Sequence, residues 1–138
     1  ISDFSIVLDS KEDLGSKAHV LRSEAYLRNR QFAKSIGDAG WVIKNGPPPD
    51  LMQAYVQLGD GYRLGGKFWL AVDAYDKALQ VMGLFGSKVQ DPFVLLIAAM
   101  AERGLTQLNT PKDPVFERKA LDTGVLTRAD IDNYFMRN

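Results

Sequence analysis

The sequence holds no cysteine, which removes disulfides, thiolate metal sites and cysteine nucleophiles together. It holds one histidine, His19, so a structural zinc site lacks its ligands. Neither sign of charge is in excess: 17 Lys and Arg stand against 17 Asp and Glu, mixed along the chain. Such a chain has no basic footprint for nucleic acid and no polybasic membrane anchor. No apolar run approaches the roughly 18 residues of a membrane span. The longest, FVLLIAAMA from Phe93 to Ala101, is followed by Glu102 and Arg103. No signal peptide is visible, and the lack of cysteine suits a reducing compartment. The expectation is a cytoplasmic protein with no nucleic-acid and no membrane partner. The chain opens on Ile1 rather than Met and reads as a segment of a longer protein.

What is present is repetition. Residues 1–8 (ISDFSIVL) align with 36–43 (IGDAGWVI) at a shift of 35, and these with 72–79 (VDAYDKAL) at a shift of 36. Tyr26 and Phe32 align with Tyr62 and Phe68 at the same shift of 36. A recurring period near 35 is the mark of stacked helical hairpins. Helices are expected at about 14–29, 32–44, 51–64 and 68–82. In the last, Phe68, Ala71, Val72, Tyr75, Ala78 and Leu79 share one face of a helix. The turns NRQ and GGK join helices within a unit, and KNGPPPD (44–50) joins the units. Three prolines cannot continue a helix, and Asp50 is the expected N-cap of the next one.

The stretch YVQLGDGYRLGGKF (55–68) places Gly59 and Gly61 inside an expected helix, where each costs about 1 kcal/mol relative to Ala. Tyr55-x2-Leu58-Gly59-x2-Tyr62, followed by Gly66, Phe68, Ala71-x3-Tyr75 and Ala78, resembles a tetratricopeptide repeat. The resemblance puts a small residue at Gly59 so that two helices can approach, and a turn residue at Gly66. It leaves Gly61 unassigned, either as slack or as a place where a ligand nears the backbone. The preceding unit keeps Tyr26, Phe32 and Pro47, with Ser23 and Ser35 at the small positions and Arg30 at the turn glycine.

The resemblance implies an all-α fold, a right-handed superhelical stack of antiparallel helix hairpins. Residues 1–10 would be the second helix of a truncated repeat, 14–46 and 50–83 full repeats, and 91–138 a degenerate repeat with C-terminal capping helices. Asp91-Pro92 opens the helix over 91–108 as N-cap and first residue. Asp113-Pro114 opens a short one, ended by Gly124. Thr127 and Asp130 resemble a capping box, with Asp in place of Glu. The last two helices either cap the stack or dock on a partner.

No catalytic constellation emerges. His19 reads as a packing residue, Asp73 and Asp76 as a solvated pair, and RLGGKF as a turn without P-loop spacing. The segment DSKEDLG (9–15) has too few oxygen ligands for an EF-hand. Neither enzyme activity, nor a metal, nor a cofactor is expected. Trp41 and Trp69 read as packing residues, or as partner-binding anchors if exposed.

The resemblance implies protein–protein interaction, as an adaptor or scaffold module binding a peptide, helix or partner domain. It places Lys17, Val20, Leu21, Glu24, Leu27 and Arg28, then Gln53, Val56, Gln57, Asp60 and Arg63, along the concave groove. Leu95, Ala99 and Glu102 would continue it. LRSEAY (21–26) is also similar to wording in co-chaperones that clamp the acidic carboxyl tail of heat-shock chaperones. In that register Leu21, Gln53 and Gln57 replace the clamp's Asn, Lys and Arg, and neutral side chains cannot supply its charge. Two alternatives stand beside the adaptor reading. One is a chaperone-tail co-chaperone. The other is a homo-oligomeric assembly element, self-associating through helix 1–8 or the C-terminal helices.

Overall fold

A computed structural model describes residues 15–85 and 90–136. The expected helix over 1–8, and the self-association assigned to it, lie outside the described residues. Among the described residues there are seven helices and no strands: α1 (Gly15–Arg28), α2 (Phe32–Asn45), α3 (Pro48–Leu64), α4 (Phe68–Gly83), α5 (Pro92–Gln107), α6 (Val115–Asp122) and α7 (Arg128–Met136). The fold is all-α. Each of α1 to α5 packs on the helix that follows it, and α1, α3 and α5 also pack in sequence on one another. Three-residue turns join α1 to α2 and α3 to α4. Helices in contact across turns that short run antiparallel.

The turns share one device. After α3, Gly66 has φ +83°, Lys67 N–H donates to Tyr62 C=O at 2.7 Å and Gly66 N–H to Arg63 C=O at 3.2 Å. This is a Schellman cap, which needs a left-handed residue just past the helix. After α1, Arg30 takes that position at φ 59°, with Gln31 N–H on Tyr26 C=O at 2.8 Å. After α5, Asn109 takes it at φ 60°, with Thr110 N–H on Leu105 C=O at 3.0 Å. The same cap therefore closes α1, α3 and α5, the helices that open successive hairpins.

Helix starts differ from the sequence reading at two places. Asp50 does not cap α3. Pro47 is the N-cap, and Pro48 and Pro49 lie in the first turn, where a proline ring fits and its missing N–H is not needed. Asp50 instead sits buried within that first turn, accepting hydrogen bonds from Ser16 Oγ and, at 3.1 Å, from Lys17 Nζ of α1. The helix expected to open at Asp113-Pro114 has Pro114 as its N-cap and starts at Val115, while Asp113 pairs with Arg118 at 2.8 Å. The first N–H groups of α6 are satisfied from another helix. Buried Glu102 of α5 accepts from Phe116 N–H at 2.9 Å and Glu117 N–H at 3.0 Å. The other two starts follow the sequence. Asp91 accepts from Phe93 N–H at 2.9 Å, and Thr127 and Asp130 exchange bonds at 2.9 and 3.1 Å.

The core follows from α5. Val94 to Glu102 are all buried, as are Gly104 and Leu105. A helix apolar on every side belongs inside a protein, and α5 packs against α3, α4, α6 and α7. A smaller cluster of Val20, Ala39, Val42 and Ala54 joins α1, α2 and α3. Between α1 and α2, Ser23 and Ser35 are fully buried and bonded Oγ to Oγ at 2.9 Å.

The left-handed Arg30 gives a direct test of the shared cap. An L-residue there bears about 1–2 kcal/mol of strain, partly offset by the unfolded-chain entropy that glycine adds. Arg30→Gly is expected to stabilise the chain by about 0.5–1 kcal/mol, read as a higher denaturant midpoint at constant m-value. An unchanged or lower midpoint would contradict the cap.

Candidate binding groove

The face that the sequence assigns to a ligand contains two different environments. On α1, Lys17, Leu21, Glu24 and Arg28 lie three to four residues apart and so share one side of the helix. Leu21 is 53% exposed. Lys17 reaches Asp50, and Arg28 pairs with Glu24 at 3.6 Å. Lys17, Leu21 and Arg28 are exposed and Glu24 is half-buried, so the face has an exposed apolar residue with charges of both signs around it.

On α3 the expected groove residues are largely built into the protein. Gln57 is buried and donates from Nε2 to Val20 C=O at 3.1 Å. It therefore ties α3 to α1, and its Oε1 is buried without a hydrogen-bond partner. Asp60 is buried and accepts a hydrogen bond from the Tyr75 hydroxyl of α4. Arg63 Nε donates to that same hydroxyl at 3.0 Å, and Arg63 also pairs with Asp60 at 3.4 Å. Burial raises the Asp60 carboxyl above its ordinary value, against the opposing pull of Arg63 and the Tyr75 hydrogen bond. Burial and the Asp60 charge push the Tyr75 phenol well above its ordinary value.

Tyr75 explains the glycines. Its ring is fully buried between α3 and α5. A Cβ at Gly59 would lie 2.6 Å from Tyr75 Cε1, and one at Gly104 closer still to Cζ. Gly59 thus admits an aromatic ring from α4. Gly61 has no ligand beside it: a Cβ there would meet Ile36 of α2 at 3.1 Å, so its close neighbour is the chain itself.

The remaining space over α3 is filled from the C-terminus. Tyr134 and Phe135 of α7 close a crevice lined by Gln53, Val56, Gln57 and Asp60 of α3 and by Ile97 and Met100 of α5. The free space left is about 10 Å³, room for one water at most. Arg63 stacks over the Phe135 ring at 5.1 Å to the centroid. Ile131 of α7 is fully buried. At the rim, Arg103 bonds Glu117 at 2.6 Å and pairs with Asp132, and Arg128 bonds Glu117 at 2.8 Å. The Arg103 hydrogen bond holds the Glu117 carboxyl below its ordinary value. Glu102, Leu95 and Ala99 are buried in α5 and do not extend an open surface.

Two further sequence assignments are resolved by geometry. His19 stacks on Trp41 at 3.9 Å between centroids and meets Asp38 at 3.2 Å, while Arg22 grips Asp38 with two bonds of 2.7 Å. Trp41 is a packing residue, and Trp69 is not: it is 86% exposed beside Phe68. Phe68, Trp69 and Val72 border a cleft of about 400 Å³ with residues 107–110. Among the described residues, no group of three or more His, Cys, Asp or Glu could hold a metal ion. No helix among them is long and apolar enough to cross a membrane.

The sequence reading missed Gly104 and Phe135. Gly104 carried the same signal that singled out Gly59, a glycine inside an apolar helix. Phe135 lies four residues from Ile131 and next to Tyr134 on an apolar face of its helix, but nothing in a one-dimensional pattern says which helix that face will meet. No protein-family model, curated protein or solved structure matches this chain.

The hydroxyl of Tyr75 is the bond on which Asp60 depends. Tyr75→Phe removes it and leaves a buried carboxylate short of a partner, a loss of about 1–3 kcal/mol. The expected readout is a fall of several degrees in Tm with the helical circular dichroism retained. An unchanged Tm would mean that the bond adds nothing.

Proposed function

We propose that this chain is a protein-interaction module, built as a tetratricopeptide-type right-handed superhelical stack, acting as adaptor or scaffold. The observation that carries this reading is the seating of α7 side chains against α3 and α5. A surface that accepts one amphipathic helix has the shape and chemistry to accept another, which is a recurring mode of peptide recognition. Beside it, the α1 face of Lys17, Leu21, Glu24 and Arg28 supplies a half-exposed apolar centre with charges of both signs. Groove binding by a peptide or helix would use that face together with Gln53.

The chaperone-tail alternative has less support. Gln57 is buried with its amide on a backbone carbonyl, and neither Gln53 nor Gln57 offers a positive charge to a carboxylate. For self-association the apolar surface at Phe68, Trp69 and Leu70, which are 58%, 86% and 49% exposed, offers a face on α4 rather than on helix 1–8 or the C-terminal helices.

Selection of helical peptides against the immobilised chain tests the groove. Selected peptides are expected to lose binding by about tenfold or more, roughly 1.4 kcal/mol, when Leu21→Asp is introduced. An acidic free-carboxylate tail peptide is expected to bind no better than its amidated form. Peptides unaffected by Leu21→Asp, or a tail peptide that binds only with its free carboxylate, would overturn the reading.

A further inference from the structure

α7 stands apart from the other helices in how it is held. It has nine residues, too few to be stable as a helix without a surface to lie on. It packs on α5 and sends Tyr134 and Phe135 to α3. The five residues that join it to α6 are mostly exposed, with Val125 67% exposed and Gly124 at φ +76°. α6 has independent anchorage, because Glu102 caps it from α5 and Ala120 is buried in the core. Lifting α7 would therefore leave the hairpins and α6 in place.

The bed beneath α7 has features that the core lacks. It presents Arg63, half-buried, to the face of an aromatic ring. It holds the buried Gln57 Oε1 without a hydrogen-bond partner. A second cation, Arg103, takes the Asp132 carboxylate at the rim. A slot lined by Val56, Ile97 and Met100 beside Gln53, Gln57 and Asp60, with a buried acceptor that lacks a partner and two arginines at its edge, suits a helix with an aliphatic residue, an adjacent acid, and two aromatics three and four residues on. Ile131, Asp132, Tyr134 and Phe135 fit that description in cis.

We infer that the α3–α5 crevice is a helix-acceptor site masked by the chain's own α7. Its occupant in trans is an amphipathic partner helix with the same aliphatic–acid–aromatic–aromatic stripe, which displaces α7. This rests on the interaction-module reading and adds the chemistry of the partner and a mode of control. The Phe135 ring is the contact a competing helix must replace, because Arg63 serves both that ring and the Tyr75 hydroxyl.

The probe is a labelled peptide of residues 125–138, carrying Met136→Leu so that its mass differs from the chain's own segment. It is titrated by fluorescence anisotropy into the full chain and into the full chain with Ile131→Asp and Phe135→Ala. Masking lowers apparent affinity by the fraction of open molecules, so the double variant is expected to bind about tenfold or more tighter than the unaltered chain. A peptide with Phe135→Ala is expected to bind neither. On the unaltered chain, excess peptide is expected to accelerate hydrogen exchange of residues 128–136 while α1 and α2 stay protected. That arm decides the matter if the double variant does not fold. Tighter binding in the double variant and faster exchange over 128–136 are readouts that the α1 face does not share, so a failure of the open α1 face and a failure of the masked site are read separately. Equal binding to both chains with no change in exchange, or binding to neither, would overturn the proposal.

Discussion

The ring of Tyr75 occupies the gap between α3 and α5, and two glycines set the width of that gap. Gly59 and Gly104 face the ring from opposite helices, and at either position a Cβ would overlap ring atoms. The hydroxyl at the end of the ring then reaches Asp60, which is otherwise a carboxylate in a poor place for one. Burying a charge is tolerable only when it is bonded, and Tyr75 and Arg63 supply those bonds from two helices. One side chain from α4 thereby fixes the spacing of α3 and α5 and satisfies the buried acid between them. Arg63 extends the arrangement to the C-terminus through the Phe135 ring. The candidate groove depends on all of this, because its floor is α3 and α5 at that spacing.

The hairpins repeat a cap while varying what lies inside. Counting back seven residues from the left-handed positions Arg30, Gly66 and Asn109 reaches Ser23, Gly59 and Glu102. Ser23 bonds Ser35, Gly59 makes room for Tyr75, and Glu102 reaches out to the start of α6. The same backbone station is thus a polar contact, a space and a bridge in turn. The third use turns α6 into a lid on α5 and sets the direction in which the chain returns to α7.

Much of the architecture was legible in the residues. Periodicity and caps place the helices, because apolar spacing, Asp91-Pro92 and the Thr127–Asp130 pair act locally. The turn at Gly66 was legible for the same reason. Asp50 was misplaced as a cap because a local rule competed with partners far away in sequence, Ser16 and Lys17. The groove was legible only in part. On α1, Lys17, Leu21 and Arg28 are exposed and Glu24 is half-buried, whereas Gln57, Asp60 and Arg63 are absorbed by Val20, Tyr75 and Phe135. Those contacts join residues across three helices and leave no periodic trace. Trp69 is exposed although its composition favours burial.

Gly59 and Gly104 make room for the Tyr75 ring. The most direct measurement compares alanine at Gly104 with alanine at Gly37, a glycine in α2 with nothing within 4 Å of a built Cβ. Equilibrium denaturation of the two variants separates helix propensity from packing. Gly37→Ala is expected to stabilise the chain by up to about 1 kcal/mol. Gly104→Ala carries the same propensity gain but forces a methyl into a buried ring, for a net loss of about 1–3 kcal/mol. If Gly104→Ala were as stable as Gly37→Ala, the ring would not be held between the glycines.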